Sequence, residues 1–164
     1  MSAPRMGQDE DDLAGGTAAL WRAFLAAPET PVDARFYDVL SIGDTPAAAD
    51  AGARLILSGA KTATSALLAD LGDAGPPPIG SYSIVLDGRG RGICVVRTLA
   101  LALRRFSQID ARFARAYGEC DGTLATWRRN MGAFYAARAA VLGLDWNEES
   151  ELVCETFTVV FRAG

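Results

Sequence analysis

The passage from a predicted helix to a predicted strand runs through the hexapeptide Gly59-Ala60-Lys61-Thr62-Ala63-Thr64. Lys61 is the only lysine of the chain, since every other basic position is Arg, and histidine is absent. Arg stays protonated at any working pH, whereas a desolvated Lys can lose its proton. The hexapeptide therefore predicts a site that needs a titratable amine or a compact point charge at residue 61. On composition alone, an ordinary surface lysine remains the alternative.

The spacing of Lys61 and Thr64 limits the local conformation in which they can cooperate. Residues three apart point to opposite faces of an extended strand but share one face of a helical turn. If the two act together, the segment must be a turn that precedes the next strand, and Gly59-Ala60 permits such a turn.

A helix is predicted immediately before this turn. Thr45-Pro46 is a typical helix start, the helix runs to about Ser58, and Gly59 suits a left-handed exit. Lys61 then follows a helix C-terminus, whose partial negative charge favours the protonated amine. Desolvation would have to outweigh that effect for the pKa of Lys61 to fall.

Bulk composition sets limits on domain number and on mechanism. The length of 164 residues fits one domain, and no apolar run reaches membrane-spanning length. The N-terminus lacks a basic-then-apolar signal pattern, which predicts a cytoplasmic location. Without histidine, Ser-His-Asp and Cys-His mechanisms are excluded. The wide spacing of Cys94, Cys120 and Cys154 indicates neither a disulfide framework nor a zinc site, so we expect no metal and no cofactor. Whether Cys120 is reactive or merely packed stays open.

Charge is unevenly distributed along the chain. The net charge is −4, which disfavours bulk non-specific binding of nucleic acid. Residues 89–129 nevertheless hold nine Arg against three acidic residues, a local charge of +6. Such a segment could hold a phosphate or an RNA, although scattered Arg side chains on solvated faces are the simpler interpretation.

The remaining pattern predicts an α+β fold. Residues 1–16 are predicted to form a frayed acidic tail and residues 17–35 a helix and linker. Strands are expected at 81–87, 93–103 and 151–161, where apolar residues alternate in the last. Helices are expected from a capping-box variant at Ser107–Asp110 to Tyr117, and from Thr123 to Gly143. This order suggests a small, mostly antiparallel β-barrel flanked by helices.

Several segments together resemble one known family. The matching stretches are Ile42-Gly43-Asp44, Leu57 to Leu68, Gly80 to Asp87, Cys94 to Thr98, Phe106, Tyr117 to Asp121, Leu124 to Arg128 and Val153 to Phe157. They resemble the ASCH domain family, a PUA-like β-barrel group, and a small bacterial single-domain member of it. The likeness covers about residues 36–161 in the right order, so we expect residues 36–164 to form the domain.

The resemblance implies a link to RNA or to modified nucleosides. Some small ASCH proteins are amidohydrolases that remove the acetyl group from N4-acetylcytidine, and their site combines a Lys, a Thr three residues later and a Glu. By this resemblance the catalytic residues would be Lys61, Thr64 and Glu119. Relatives often have His and an aromatic residue after the Trp-Arg pair, where this chain has Met131 and Gly132.

Two functional hypotheses follow, with a third between them. In a hydrolase, Thr64 would attack an acyl carbon, and neutral Lys61 would take the proton of the Thr64 hydroxyl. Glu119 would hold the exocyclic nitrogen that leaves or donate a proton to it. The predicted substrate-binding residues are Arg97, Asp121, Trp127 and Arg128, although Trp127 also fits a helical core stripe. A non-catalytic RNA or nucleotide reader would use Lys61 and the Arg residues on phosphate, and a Lys61-dependent ribonuclease would cleave RNA. The expected partner is RNA or a modified nucleoside, with no membrane association, and the oligomeric state stays open.

Overall fold

The computed structural model describes residues 10–164, so most of the predicted acidic tail lies outside the described residues. Four helices and five strands follow one another along the chain, joined by short 3-10 turns. Their bounds are α1 Gly15–Ala26, β1 Phe36–Leu40, α2 Pro46–Leu57, β2 Ala63–Leu67, β3 Tyr82–Leu86, β4 Gly92–Arg105, α3 Ala111–Tyr117, α4 Leu124–Leu142 and β5 Glu151–Arg162.

The strands form one mixed sheet in the order β1-β3-β4-β5-β2. Only the β1–β3 pair is parallel, and the other three neighbouring pairs are antiparallel. The predicted α+β class and the mostly antiparallel sheet are confirmed. The sheet is open, however, with β1 and β2 at its edges instead of being closed into a barrel. Alternation of side chains specifies which face of a strand is buried but carries no information on whether the outer strands meet.

Helix ends follow the predicted capping residues with one exception. The Thr45 and Thr123 hydroxyls accept the Ala48 and Thr126 N–H groups at 3.2 Å, which starts α2 and α4. At α3 the cap is Asp110, whose carboxylate accepts the Phe113 N–H at 2.8 Å. The predicted role of Ser107 in starting this helix was wrong, because residues 106–108 form a separate 3-10 turn.

Three apolar clusters surround the sheet. On one face, α1 packs Trp21 and Phe24 against Tyr82. On the opposite face, α2 packs Ile56 against Val85 and its neighbours. The third cluster joins α3 and α4 to β2 and the start of β5. Nowhere in residues 10–164 is a helix both long enough and apolar enough to cross a bilayer.

Candidate functional site around Lys61

The segment that carries Lys61 is a turn held between the ends of two helices. The strand β2 begins at Ala63, so Lys61 precedes it, whereas Thr64 lies within the strand and not in the predicted turn. The Lys61 N–H donates to the Leu55 carbonyl of α2 at 3.0 Å, and the Thr62 N–H donates to the Ala116 carbonyl of α3 at 2.8 Å. The last carbonyls of a helix lack partners within it, so both helix ends bind this turn.

A glycine makes the close approach of α3 to this turn possible. Gly118 follows α3 with φ +71°, in the left-handed region that favours glycine. A Cβ atom built on Gly118 would lie 2.1 Å from the Ala60 carbonyl oxygen and 2.8 Å from the Lys61 Cα atom. Any larger residue at 118 would therefore push the end of α3 away from Lys61.

The Lys61 side chain is fully buried, and its amine has three close neighbours. Its Nζ atom lies 3.1 Å from the Tyr117 carbonyl oxygen, to which it donates, and 2.9 Å from Glu119 Oε1. It also lies 3.4 Å from the centroid of the Tyr117 ring. Lys61 as a whole is 1% exposed, whereas the Glu119 side chain is 25% exposed. The pair therefore reaches from the interior toward solvent through Glu119.

Burial dominates the electrostatics of this amine. Removal from water lowers the pKa of Lys61 to about 8, although the charge of Glu119 and its hydrogen bond act in the opposite direction. Burial of Glu119 acts to raise the pKa of that carboxyl, but nearby positive charge, chiefly Lys61, leaves its pKa below the ordinary value. The amine is thus a base that can exchange its proton near neutral pH.

Thr64 joins this group through the same tyrosine. It is buried on β2, and its hydroxyl is near enough to the Tyr117 hydroxyl to affect its ionisation. Burial raises the pKa of Tyr117 well above its ordinary value, whereas Thr64 and Ser65 act to lower it. The three residues predicted to be catalytic, Lys61, Thr64 and Glu119, are therefore gathered around one aromatic side chain.

Sequence reasoning missed a buried carboxylate next to Thr64. Glu155 on β5 is the register partner of Thr64 and is 4% exposed. Its Oε1 atom accepts the Thr98 hydroxyl of β4 at 2.7 Å. The signal was in the alternation of β5, where Glu155 occupies a core-facing position between Val153 and Phe157.

Arg97 lies apart from this group. Its guanidinium carbon is 5.9 Å from the centroid of the Tyr82 ring, on the sheet face that packs α1. Arg97 and Tyr82 line two adjoining cavities of about 530 and 300 Å³, whose walls include Glu29 and Asp33. None of the residues that contact the Lys61 amine lines either cavity.

The other predicted substrate-binding residues support the fold locally. Asp121 is exposed and accepts the Thr123 N–H and hydroxyl at 2.9 Å, which organises the start of α4. Trp127 is buried, with its ring centroid 5.8 Å from that of Tyr117. Arg128 Nη2 donates to two backbone carbonyls, those of Ser107 at 3.0 Å and Ile109 at 3.1 Å. Trp127 thus supports the tyrosine that contacts Lys61.

Part of the Arg-rich segment, residues 89–129, is neutralised by acidic residues of the same chain. Three of its arginines form ion pairs, at 2.7, 3.4 and 2.8 Å, namely Arg91 with Asp87, Arg104 with Asp110 and Arg105 with Glu149. Two of these acidic partners lie outside the segment, so a charge sum along the sequence overstates the positive potential at the surface.

Metal chemistry and thiol chemistry find little support in the described part of the chain. Residues 10–164 contain no group of three or more Cys, Asp or Glu arranged to hold a metal ion. Cys94 and Cys154 are buried, and burial raises the pKa of each thiol to about 12. Cys120 is exposed and adopts φ +57°, with its sulfur 3.2 Å from the Asn130 amide nitrogen.

Comparison with known proteins gives a family and a fold. The model of the ASCH domain matches residues 38–161. An ASCH domain from Lactobacillus crispatus JV V101 superposes with a TM-score of 0.81 at 25% identity, covering 88% of this chain and 94% of that one. A protein from Enterococcus faecalis V583 gives a TM-score of 0.78 at 26% identity, covering 90% and 94%. Comparison with curated proteins gives no match.

Proposed function

The chain belongs to the ASCH domain family, and from this premise we propose that it is an amidohydrolase that removes the acetyl group from N4-acetylcytidine. Its PUA-like fold is associated with RNA-related function. The observation that carries the proposal is the buried amine of Lys61, whose pKa burial lowers to about 8, beside Glu119 and against the ring of Tyr117, whose hydroxyl also interacts with Thr64. Perturbed groups of this kind cluster at catalytic sites.

The proposed reaction proceeds through an ester of Thr64. The Thr64 hydroxyl attacks the acetyl carbon, and the neutral amine of Lys61 takes the hydroxyl proton. The bond between the acetyl carbon and the exocyclic nitrogen then breaks, and that nitrogen receives a proton through the Lys61–Glu119 pair. Water hydrolyses the acetyl ester, which releases acetate and restores the hydroxyl.

The surroundings of the amine favour proton transfer over simple anchoring of phosphate. A Lys that binds phosphate works as a fully charged cation open to solvent, whereas the Lys61 side chain is 0% exposed. With a pKa of about 8, roughly a tenth of the molecules carry a neutral amine at pH 7, and this fraction rises with pH. A general base works best when its pKa lies near the operating pH.

Exchange of Lys61 for Arg tests the proposal. We expect Lys61→Arg to lower kcat/KM for N4-acetylcytidine by about 1,000-fold, because Arg keeps its charge but cannot act as a base. Wild-type kcat/KM should rise with pH, reach half its maximum near pH 8 and level off above it, as the remaining amine becomes neutral. The assay follows formation of cytidine and acetate, with circular dichroism to verify that the variant is folded.

A pair of variants at Thr64 tests the same reaction independently of whether Lys61→Arg folds. Thr64→Ser keeps a hydroxyl and should retain measurable turnover, whereas Thr64→Val should retain none. Mass spectrometry of the wild type mixed rapidly with substrate should detect an acetyl group on Thr64. Wild-type turnover in both Lys61→Arg and Thr64→Val would reject the hydrolase.

Non-catalytic RNA binding is the second candidate, and Arg97 favours it. Arg97 is exposed and has no ion pair with any residue between 10 and 164. A reader of this kind would bind RNA with an affinity that falls steeply with salt, would release no product and would tolerate Lys61→Arg. RNA cleavage that depends on Lys61 would indicate a ribonuclease instead.

A further inference from the structure

One face of the sheet changes from apolar to polar along the strands. Under α2 this face holds an apolar cluster that includes Leu40, Val85, Val96 and Phe157. On each strand, the residue two positions from this apolar residue has a polar side chain on the same face, and Ser81 lies two positions before Ser83. We call these residues the polar row, which consists of Asp38, Ser81, Ser83, Thr98 and Glu155.

Strand register places the members of the polar row side by side. Asp38 of β1 is the register partner of Ser83 on β3. The Thr98 N–H donates to the Ser81 carbonyl at 3.0 Å, which aligns these two across β3 and β4. Thr98 in turn bonds Glu155, the register partner of Thr64. Partners in a ladder project to the same face, so the polar row ends at the proposed nucleophile.

Burial of the polar row is not explained by packing alone. Each member is at most 4% exposed. The hydroxyls of Ser81 and Ser83 are buried without a hydrogen-bond partner. Buried polar groups nearly always have partners, and each exception calls for an explanation such as a bound water, an ion or a catalytic role. Two such hydroxyls on one face, in line with a candidate nucleophile, point to a common cause.

We propose that the polar row is a binding subsite for an uncharged nucleoside, whose ring edge and ribose hydroxyls complete the hydrogen bonds of Ser81 and Ser83. The inference rests on the proposed function, since strand register and the Thr98–Glu155 hydrogen bond connect the polar row to Thr64. It goes further by assigning the residues that recognise the ligand at a distance from the reacting acetyl group.

The chemistry of the polar row selects the class of ligand. Its three hydroxyls both donate and accept hydrogen bonds, whereas its two carboxylates only accept while ionised. A cytosine ring and a ribose offer N–H and O–H donors together with carbonyl and ring-nitrogen acceptors. A phosphate offers only acceptors and negative charge, which Asp38 and Glu155 would repel. The polar row therefore suits the nucleoside and disfavours a phosphate in the same place.

Serine-to-alanine exchanges separate recognition from folding. Cytidine and N4-acetylcytidine are titrated into a Thr64→Val background, where no turnover obscures binding. We expect Ser81→Ala and Ser83→Ala each to raise Kd about 10-fold, and the double variant more, because each loses one hydrogen bond to the ligand. The melting temperature should stay level or rise, since an unpartnered buried hydroxyl is removed.

Two further variants serve as controls. Ser65→Ala removes a buried hydroxyl that bonds the Tyr135 hydroxyl at 2.7 Å, so it should lower the melting temperature. Ser107→Ala removes a hydroxyl that bonds Glu149 at 3.1 Å, remote from the polar row, and should leave Kd unchanged. If the alanine variants at 81 and 83 misfold, Thr98→Val gives a second test, with the same expected loss of affinity.

The outcomes distinguish this inference from the proposed reaction. Binding that weakens in the row variants, without any acetate release by the wild type, would support the subsite and refute the hydrolase. Acetate release with Kd and KM unchanged in the double variant would refute the subsite and leave the hydrolase standing. Absence of binding by both nucleosides would also overturn the subsite.

Discussion

Two ion pairs of this protein join a cation to a carboxylate, and yet the pKa of the cation shifts in opposite directions in the two. Arg138 of α4 binds Asp70 through two parallel contacts, with Nε 2.7 Å from Oδ2 and Nη2 bonded to Oδ1. Its hydrogen bond to Asp70 raises the pKa of Arg138. Lys61 lies 2.9 Å from Glu119, but burial lowers the pKa of the amine to about 8.

The difference lies in contact with water. The Arg138 side chain is 24% exposed, so its charge remains partly solvated, whereas the Lys61 side chain is 0% exposed. Desolvation of an amine can exceed the attraction of a neighbouring carboxylate. The Arg138 pair therefore ties α4 to the residues after β2, while the Lys61 pair stores a destabilised charge. Burial, more than pairing, therefore distinguishes an amine that can lose its proton near neutral pH from a cation that only stabilises the fold.

The largest expected effect comes from breaking the enclosure of Lys61 at Gly118. Gly118→Ala combines a left-handed backbone with a Cβ atom 2.1 Å from the Ala60 carbonyl oxygen, and should cost about 4 kcal/mol of unfolding free energy. Urea denaturation measures this loss. Gly132→Ala is the matched control, since its Cβ would meet only the Phe106 ring at 3.4 Å within a helix. A loss below that of the control would contradict the close approach.

The second largest effect is the pH dependence that buried Lys61 gives to the free energy of unfolding. Lys61 has a folded-state pKa of about 8, below the ordinary lysine value of 10.5. Between these values the unfolded chain holds more protons, so stability rises with pH across this window. Relative to Lys61→Met, the wild type should gain about 3 kcal/mol between pH 8 and pH 10.5. Parallel stability curves for the two proteins, measured by urea denaturation, would show that burial does not destabilise this charge.

The smallest effect concerns the partly solvated pair. Arg138→Lys keeps the charge but loses the two-pronged geometry, and should cost about 1 kcal/mol without a pH-dependent component near pH 8. Thermal and urea denaturation at pH 7 and pH 9 measure both quantities. Turnover of N4-acetylcytidine should equal that of the wild type, because Arg138 contacts Asp70 and none of the Lys61 group. If the stability loss of Arg138→Lys depended on pH as the stability contribution of Lys61 does, the difference between the two ion pairs would be contradicted.

Features with a strong local cause could be predicted from the sequence. Thr45 and Thr123 start helices because their side chains accept N–H groups within the first turn. The uniqueness of Lys61 identified the one buried amine, since a chain that otherwise uses Arg leaves few reasons for a lysine. The spacing of Lys61 and Thr64 predicted a turn that holds both residues if they cooperate, but Thr64 lies within β2 and only Lys61 precedes the strand.

Features that depend on distant segments could not be predicted in the same way. Trp127 fits a helical core stripe better than a stacking platform in sequence, but its packing partners there, Tyr117 and Phe106, are set by distant segments. Arg97 interrupts an apolar strand, but the face it joins depends on where α1 packs. The alternation of β5 places Glu155 on the core-facing side, but only strand register shows that Thr98 is its hydrogen-bond partner.

The change from apolar to polar along one sheet face has a practical consequence. The cluster under α2 contributes to folding, whereas the Ser81 and Ser83 hydroxyls just beyond it have no hydrogen-bond partner. A combinatorial library confined to positions 81 and 83 could therefore redirect the protein to other modified bases with little penalty in thermal tolerance. The same separation would let natural descendants diverge in substrate while their scaffold stays constant.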